Sequence, residues 1–370
     1  MCPFQQYPVL ETLLSPFRRS QQKTLAIVIA AVAAVAQARS RSIAGYLSRS
    51  LGVQLGSALT RFYRLLANHR IEDGQLTESL LRLLASGKTM LIALDWTKWP
   101  HDLQMLVATV ICGRRAIPVQ TRVTPDRGIW QNSEEERFLA HLAKTLKTLS
   151  QKAVLICDRG FRRVAWIERL LQIHQGFIVR LVSNVTAQGD DAEPTLLRDV
   201  ALSRGQSVDL GWVMLREDQA VRVRVVGIWG RRQKEAWWLA TNLNGSVEKI
   251  ASLYHKRMDI EEQFRDTKGC RFGVKMEWTQ FRTPAYLARF ALLVGIALLL
   301  WTVAGAAKVA KDTWAQLVCR TKGPRVSLPQ VGILYLEEFA KRITVGFVRK
   351  FLPRPKLERF EQTASATAAK

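Results

Sequence analysis

The run from Phe290 to Ala307 constrains this chain more than any other stretch, because it carries no charge and must be withdrawn from water. It is long enough to cross a bilayer, and Gly295 and Gly305 lie inside it. Arg289 and Lys308 flank it closely, and it continues a region of charged helix, so it reads as a helix buried in a protein core. The other apolar run, Leu25 to Ala36, is too short to span a membrane. No membrane partner is expected.

Upstream lies Tyr254-His-Lys-Arg-Met-Asp-Ile-Glu-Glu-Gln-Phe-Arg-Asp-Thr-Lys268, with no Pro or Gly to interrupt a helix. At about 100° per residue, Tyr254, Arg257, Glu261, Arg265 and Lys268 share an arc of roughly 80°. Many charged helices are solvated faces laced with i,i+4 ion pairs. Here every i,i+3 or i,i+4 neighbour of Glu261 on the arc is cationic, more positive charge than one carboxylate requires. A lone carboxylate among cations suits a site that holds a metal together with a polyanion. His255 lies about 240° from Glu261 on the same helix and receives no role.

The whole chain repeats that imbalance. Lys and Arg number 55 against 31 acidic residues, a formal net charge of +24 over 370 residues, which points to an acidic partner, most simply nucleic acid. A hydrophobic content of 48% excludes a disordered chain. Cys2, Cys112, Cys157, Cys270 and Cys319 form no CxxC pair, which argues against a disulfide framework or zinc knuckle and fits a reducing cytoplasm. Pro3 and Phe4 precede Arg18 and Arg19, which is not the order of a signal peptide.

Taken in order, residues 1–85 read as an all-helical N-terminal domain. Within it Ile43, Ala44 and Leu47 form one apolar face, Gly52 breaks the chain, and Leu55, Leu59 and Phe62 begin a second face. This partly matches a helix-turn-helix with Arg61 and Arg64 on the second helix as DNA contacts; an ordinary helical hairpin reads almost as well. Residues 86–182 then run β-β-β-α-β-α-β. The first strand ends on Asp95, and the wholly apolar Ala153-Val-Leu-Ile-Cys ends on Asp158. One such acid is ordinarily a turn or cap; two on core strands, with Glu261 on a helix, are less ordinary. Residues 183–250 are a β-rich insertion containing Trp229, Trp237 and Trp238, mostly core candidates, beside the basic turn Gly230-Arg-Arg-Gln-Lys. Residues 251–320 hold the charged and apolar helices. A linker from Thr321, a helix over Leu334–Leu352 and a disordered tail from Pro353 complete 321–370.

Three carboxylates from two strands and a helix could hold two Mg²⁺ ions, which take oxygen ligands and stabilise both the attacking and leaving oxygens of a phosphodiester displacement. The acids repel one another without cations, so cation binding would complete the site. The spacing Tyr254-x2-Arg257-x3-Glu261-x6-Lys268 resembles the Tyr-Arg-Glu-Lys signature of the insertion-sequence family four transposases, with Asp158-Arg-Gly-Phe161 and Leu94-Asp95 similar to that family's acid motifs. The resemblance covers roughly residues 85–310. It implies an α/β fold with a ribonuclease-H-like mixed sheet, flanking helices and a β insertion before the Glu.

It further implies a cut-and-paste transposase whose Asp95, Asp158 and Glu261 are the catalytic, metal-binding triad for two Mg²⁺ or Mn²⁺ ions. Water activated at the metals nicks the element's end, and the freed 3′-OH attacks the opposite strand, giving a hairpin in many relatives, and later target DNA. Tyr254, Arg257 and Lys268 would contact phosphates by motif position, and Arg265 shares their face. Arg180, in Ile-Val-Arg-Leu, resembles a basic DNA contact. Trp237 sits like the Trp that stacks on a flipped base, with Trp238 as the alternative. The implied partners are double-stranded DNA, as inverted repeats and target, and a second copy of the chain. The setting is the bacterial cytoplasm, at the nucleoid. Another ribonuclease-H-like nuclease or resolvase, or an inactive basic DNA-binding protein, are the competing readings.

Overall fold

Among the described residues, ten strands form where apolar and β-branched runs are bounded by turns. They are β1 (Met90–Trp99), β2 (Leu103–Cys112), β3 (Arg115–Pro125), β4 (Ala153–Cys157), β5 (Gly176–Leu181), β6 (Thr186–Gln188), β7 (Thr195–Leu196), β8 (Ser207–Arg216), β9 (Ala220–Ile228) and β10 (Trp237–Thr241). The structure is a computed structural model and describes residues 6–85, 88–112, 115–126, 132–190, 192–216, 220–269, 274–312 and 327–352. Cys2, Cys270 and Cys319, most of the linker expected from Thr321 and the tail expected from Pro353 lie outside these residues. The described residues fall into two compact units, one built from 6–85, 96–126 and 259–352, the other from 88–95 and 132–258.

The second unit is organised on a mixed sheet, in the order β1-β4-β5-β10-β9-β8-β6-β7. β4 lies parallel to both β1 and β5, and every β4 residue is buried, as its unbroken apolar sequence requires. The insertion strands extend this same sheet, because β10 pairs antiparallel with β5, Leu239 opposite Arg180. Helices Asn132–Thr148, Val164–Gln172 and Val247–His255 belong to this unit. The element order β-β-β-α-β-α-β expected over 86–182 is present, which gives the mixed α/β class. β1 differs from expectation in running past Asp95 to Trp99, so Asp95 is an interior strand residue rather than a terminal one.

The first unit is mainly helical around the β2–β3 hairpin, whose register runs from Leu103↔Pro125 to Cys112↔Arg115. Helix Pro284–Lys311 contains the uncharged run, is long and apolar enough to cross a bilayer, and has 94% of its most apolar window buried in protein. Two glycines let it meet helix Leu328–Phe339 closely. A Cβ on Gly305 would stand 2.0 Å from the Leu328 carbonyl oxygen, and one on Gly332 only 1.7 Å from that of Trp301. Trp301 Nε1 donates to the Ala33 carbonyl at 3.0 Å. Arg289 is 6% exposed and spends its donors on Asp73 Oδ1 at 2.8 Å and on the carbonyls of Leu66 and Ile71 at 2.6 and 2.8 Å. Burial raises the Asp73 pKa, and the Arg289 charge opposes that rise.

The stretch 254–268 is not one helix. Val247–His255 ends, and Met258–Lys268 begins anew. Lys256 and Arg257 donate their amides three residues back, to Leu253 and Tyr254, a tightened final turn that stops the first helix. Arg257 therefore stands in a break, and Tyr254 does not share a helix face with Glu261, Arg265 and Lys268.

Candidate active site

Asp95 and Asp158 start from neighbouring backbone positions. β1 and β4 are in parallel register to Leu94↔Cys157, and each aspartate is the next residue. Adjacent strands run about 4.8 Å apart, and paired positions point to the same face. Asp158 keeps extended backbone, φ −78° and ψ −177°, one residue past the end of β4 and at the cap of the short helix Arg159–Phe161. Its Oδ1 accepts from the Gly160 amide at 2.8 Å. A Cβ on Gly160 would come within 2.9 Å of that oxygen, which explains a glycine two residues after the acid.

Two kinds of charge surround these acids. Arg257 Nη1 donates to Asp95 Oδ2 at 3.1 Å, with both side chains about 15% exposed or less. Buried Glu135 pairs with Arg163 at the start of helix Val164–Gln172. The thiol of Cys157 is pushed well up in pKa, first by burial and further by the nearby charges of Asp158, Glu135 and Asp95. Glu135 lies in the first turn of helix Asn132–Thr148, and nothing local in the sequence marks its closeness to Cys157.

Tyr254 is 3% exposed, and burial lifts its pKa to about 12 against the opposing charges of Arg257 and Arg180. Its hydroxyl lies near the Arg257 guanidinium but outside hydrogen-bond alignment. The Trp237 ring meets the Tyr254 ring edge-on at 5.2 Å and lies near-parallel to His255 at 6.1 Å. The Arg180 guanidinium is 5.7 Å from the Trp237 ring centroid. Trp238 faces the other way and is 3% exposed, filling a gap that Gly227 leaves open, where a Cβ would stand 2.4 Å from its ring. Of the two tryptophans, Trp237 is the one with an accessible face.

The remaining expected residues belong to the first unit. Glu261 and Arg265 are exposed on Met258–Lys268, and Arg265 pairs with Glu262 at 2.6 Å. Lys268 turns onto its own unit, donating to the Lys98 carbonyl, lying 3.4 Å from Glu277 and 4.7 Å from the Trp99 ring centroid. Burial lowers its pKa, and Glu277 opposes that. Arg61 and Arg64 are exposed on helix Leu55–Ala67, lining with Lys23 an apolar groove of about 640 Å³. The inner face of that helix is Ala58, Phe62, Leu65 and Leu66, an i, i+4, i+7, i+8 stripe. Leu55, expected inside, is 51% exposed.

The donor chemistry of Asp95 and Asp158 fits a hard divalent cation, since both supply carboxylate oxygens from a rigid sheet. Among the described residues, no three His, Cys, Asp or Glu side chains are gathered closely enough to hold a metal. In this structure a guanidinium balances Asp95 instead.

A mixed sheet presenting paired aspartates among arginines fits an enzyme of phosphodiester chemistry. Residues 87–300 match the family model described as the Transposase DDE domain, more than half of the chain, and the chain belongs to that family. It is by family a transposase, a DNA-processing enzyme. No curated protein matches it significantly. Among solved structures, a cryo-EM structure of the piggyBac transposase synaptic complex with hairpin DNA aligns over 96% of this chain and 82% of that one, at 11% identity and a TM-score of 0.43.

Proposed function

We propose that this transposase excises its own element at terminal inverted repeats and joins it to target DNA, by divalent-cation-dependent strand hydrolysis followed by strand transfer. The observation that supports the reading is that Asp95 and Asp158 each follow the registered pair Leu94↔Cys157 of the parallel strands β1 and β4, with Arg257 against Asp95. Asp95 and Asp158 would hold Mg²⁺ or Mn²⁺, and Glu261 is the third ligand that the Tyr-Arg-Glu-Lys spacing implies. A bound divalent cation supplies positive charge at the phosphate oxygens and lowers the pKa of attacking water.

The chain's own residues bind and orient the strand. Arg257 neutralises Asp95 in the free protein and turns to a phosphate in the complex. Tyr254 keeps its proton near neutral pH, so its hydroxyl donates to phosphate and does not act as a base. Trp237, braced by Tyr254, offers its ring to an unpaired base, and Arg180 holds the adjoining backbone. Lys268, by its motif position, and Arg265, on the same helix, would contact DNA phosphates, and Arg61 and Arg64 would serve recognition of the ends. Joining two ends calls for two copies of the chain, working at the nucleoid of the cytoplasm.

Nicking of a plasmid carrying the element's ends tests the reading. Asp95→Asn, Asp158→Asn and Glu261→Gln should each lower Mg²⁺-dependent nicking by about 100-fold or more, beyond what changes around metal ligands cost. Undiminished nicking in all three would refute the assignment. Nicking without transfer into target DNA would make the protein a nuclease or resolvase instead.

A further inference from the structure

The second unit holds a cleft of about 370 Å³, lined among others by Arg159, Arg180, Arg198, Lys234, Trp229 and Glu235. Four of these residues are cationic and one is acidic; Arg198 Nε also lies 3.7 Å from Asp199 Oδ1. Glu235 Oε1 accepts from Arg180 Nη2 at 2.6 Å and lies 3.8 Å from Arg159 Nη1, so a single acid bridges two guanidinium groups. The Glu235 side chain is 63% exposed. Exposed ion pairs add little stability, so the fold does not depend on this bridge. A carboxylate and a phosphodiester offer guanidinium groups the same kind of paired anionic oxygens. The half-buried Trp229 indole walls the cleft, with the Arg204 guanidinium 5.7 Å from its ring centroid.

We infer that this cleft binds a phosphodiester of a DNA strand, and that Glu235 occupies in the free protein the place the phosphate takes in the complex. The inference rests on the DNA-processing reading and adds to it a second anchoring point, formed by Arg159, Arg198 and Lys234, with a resident acid that must be displaced. Glu235 thereby weakens indiscriminate binding. A strand must offer more than one carboxylate's worth of attraction before Arg159 and Arg180 are released to it.

The test uses the full-length protein and a fluorescently labelled duplex with a single-stranded overhang, its dissociation constant followed by anisotropy across a KCl series. Glu235→Gln should tighten binding at least about threefold and steepen the log–log salt slope by roughly 0.7–0.9 for each phosphate gained. Arg198→Ala with Lys234→Ala should flatten the slope by a similar step. Glu235→Gln should bring no gain when Arg159→Ala and Arg180→Ala are already present. Glu193→Gln, an exposed carboxylate outside the cleft lining, controls for the loss of one negative charge. A gain in Glu235→Gln no larger than in this control, with the unaltered protein binding DNA normally, overturns the cleft assignment alone. Failure of the unaltered protein to bind DNA overturns the DNA-processing reading, and the cleft with it.

Discussion

Asp266 sits where water is scarce. Burial raises its pKa to about 6, the Arg115 charge opposes the rise, and Glu262 adds to it. Arg115 Nε stands 3.1 Å from Asp266 Oδ2, close enough to attract but out of line for a hydrogen bond. The folded pKa exceeds the unfolded value of about 3.9, so the folded chain holds the proton more tightly. Its contribution to stability is therefore full below about pH 4 and is lost as pH rises through about 6. Asp266→Asn mimics the protonated form, so its advantage over the natural protein should grow with pH, towards about 3 kcal/mol at neutrality. Urea denaturation at pH 4.5 and 7.5 checks this; a pH-independent difference would refute it. Arg257 has the converse role, supplying the charge that Asp95 lacks. Arg257→Ala should cost about 2 kcal/mol in EDTA, because Asp95 loses the guanidinium charge 3.1 Å away. Mn²⁺ should restore much of that loss, with a larger melting-temperature rise in the variant than in the natural protein. Equal rises would mean that the cation and Arg257 do not share Asp95.

Helices Pro284–Lys311 and Leu328–Phe339 approach so closely that their glycines have no alternatives. At Gly332 an added methyl would meet the backbone oxygen of Trp301, which cannot swing aside as a side chain can. Gly332→Ala should therefore cost about 3 kcal/mol or more, measured by chemical denaturation; a loss under about 1 kcal/mol would mean that the pair is free to separate. Elements as such were legible in the sequence where the signal is local. β4 is a short apolar run closed by an acid, and Asn132–Thr148 begins with an acidic first turn. The break between His255 and Met258 was not legible. No Pro or Gly marks it, and its Arg257 is held by Asp95, 162 residues away in sequence. Leu55 misled for a related reason. Apolar spacing identifies a stripe, but the stripe that packs begins at Ala58, which only the neighbouring helices decide.

Across the molecule, a net charge of +24 announces an acidic partner but not where it is met. Asp95 and Asp158 stood out in the sequence because each follows an apolar core run, but that β1 continues past Asp95 to Trp99 had no local signal. The Glu235 bridge did not stand out, because an exposed acid in a basic turn looks like any surface charge until Arg159 and Arg180 are seen beside it. The long apolar helix has a final consequence, in time. Trp301 completes the packing around Ala33 from 268 residues further along the chain, and Arg289 reaches back to carbonyls at 65, 66 and 71. At about 5–20 residues per second of synthesis, the earliest helices leave the ribosome roughly 15–50 s before their partner exists. Through that interval their apolar faces are open to chaperones, so the supply of finished enzyme is set partly by how well the nascent chain is sheltered.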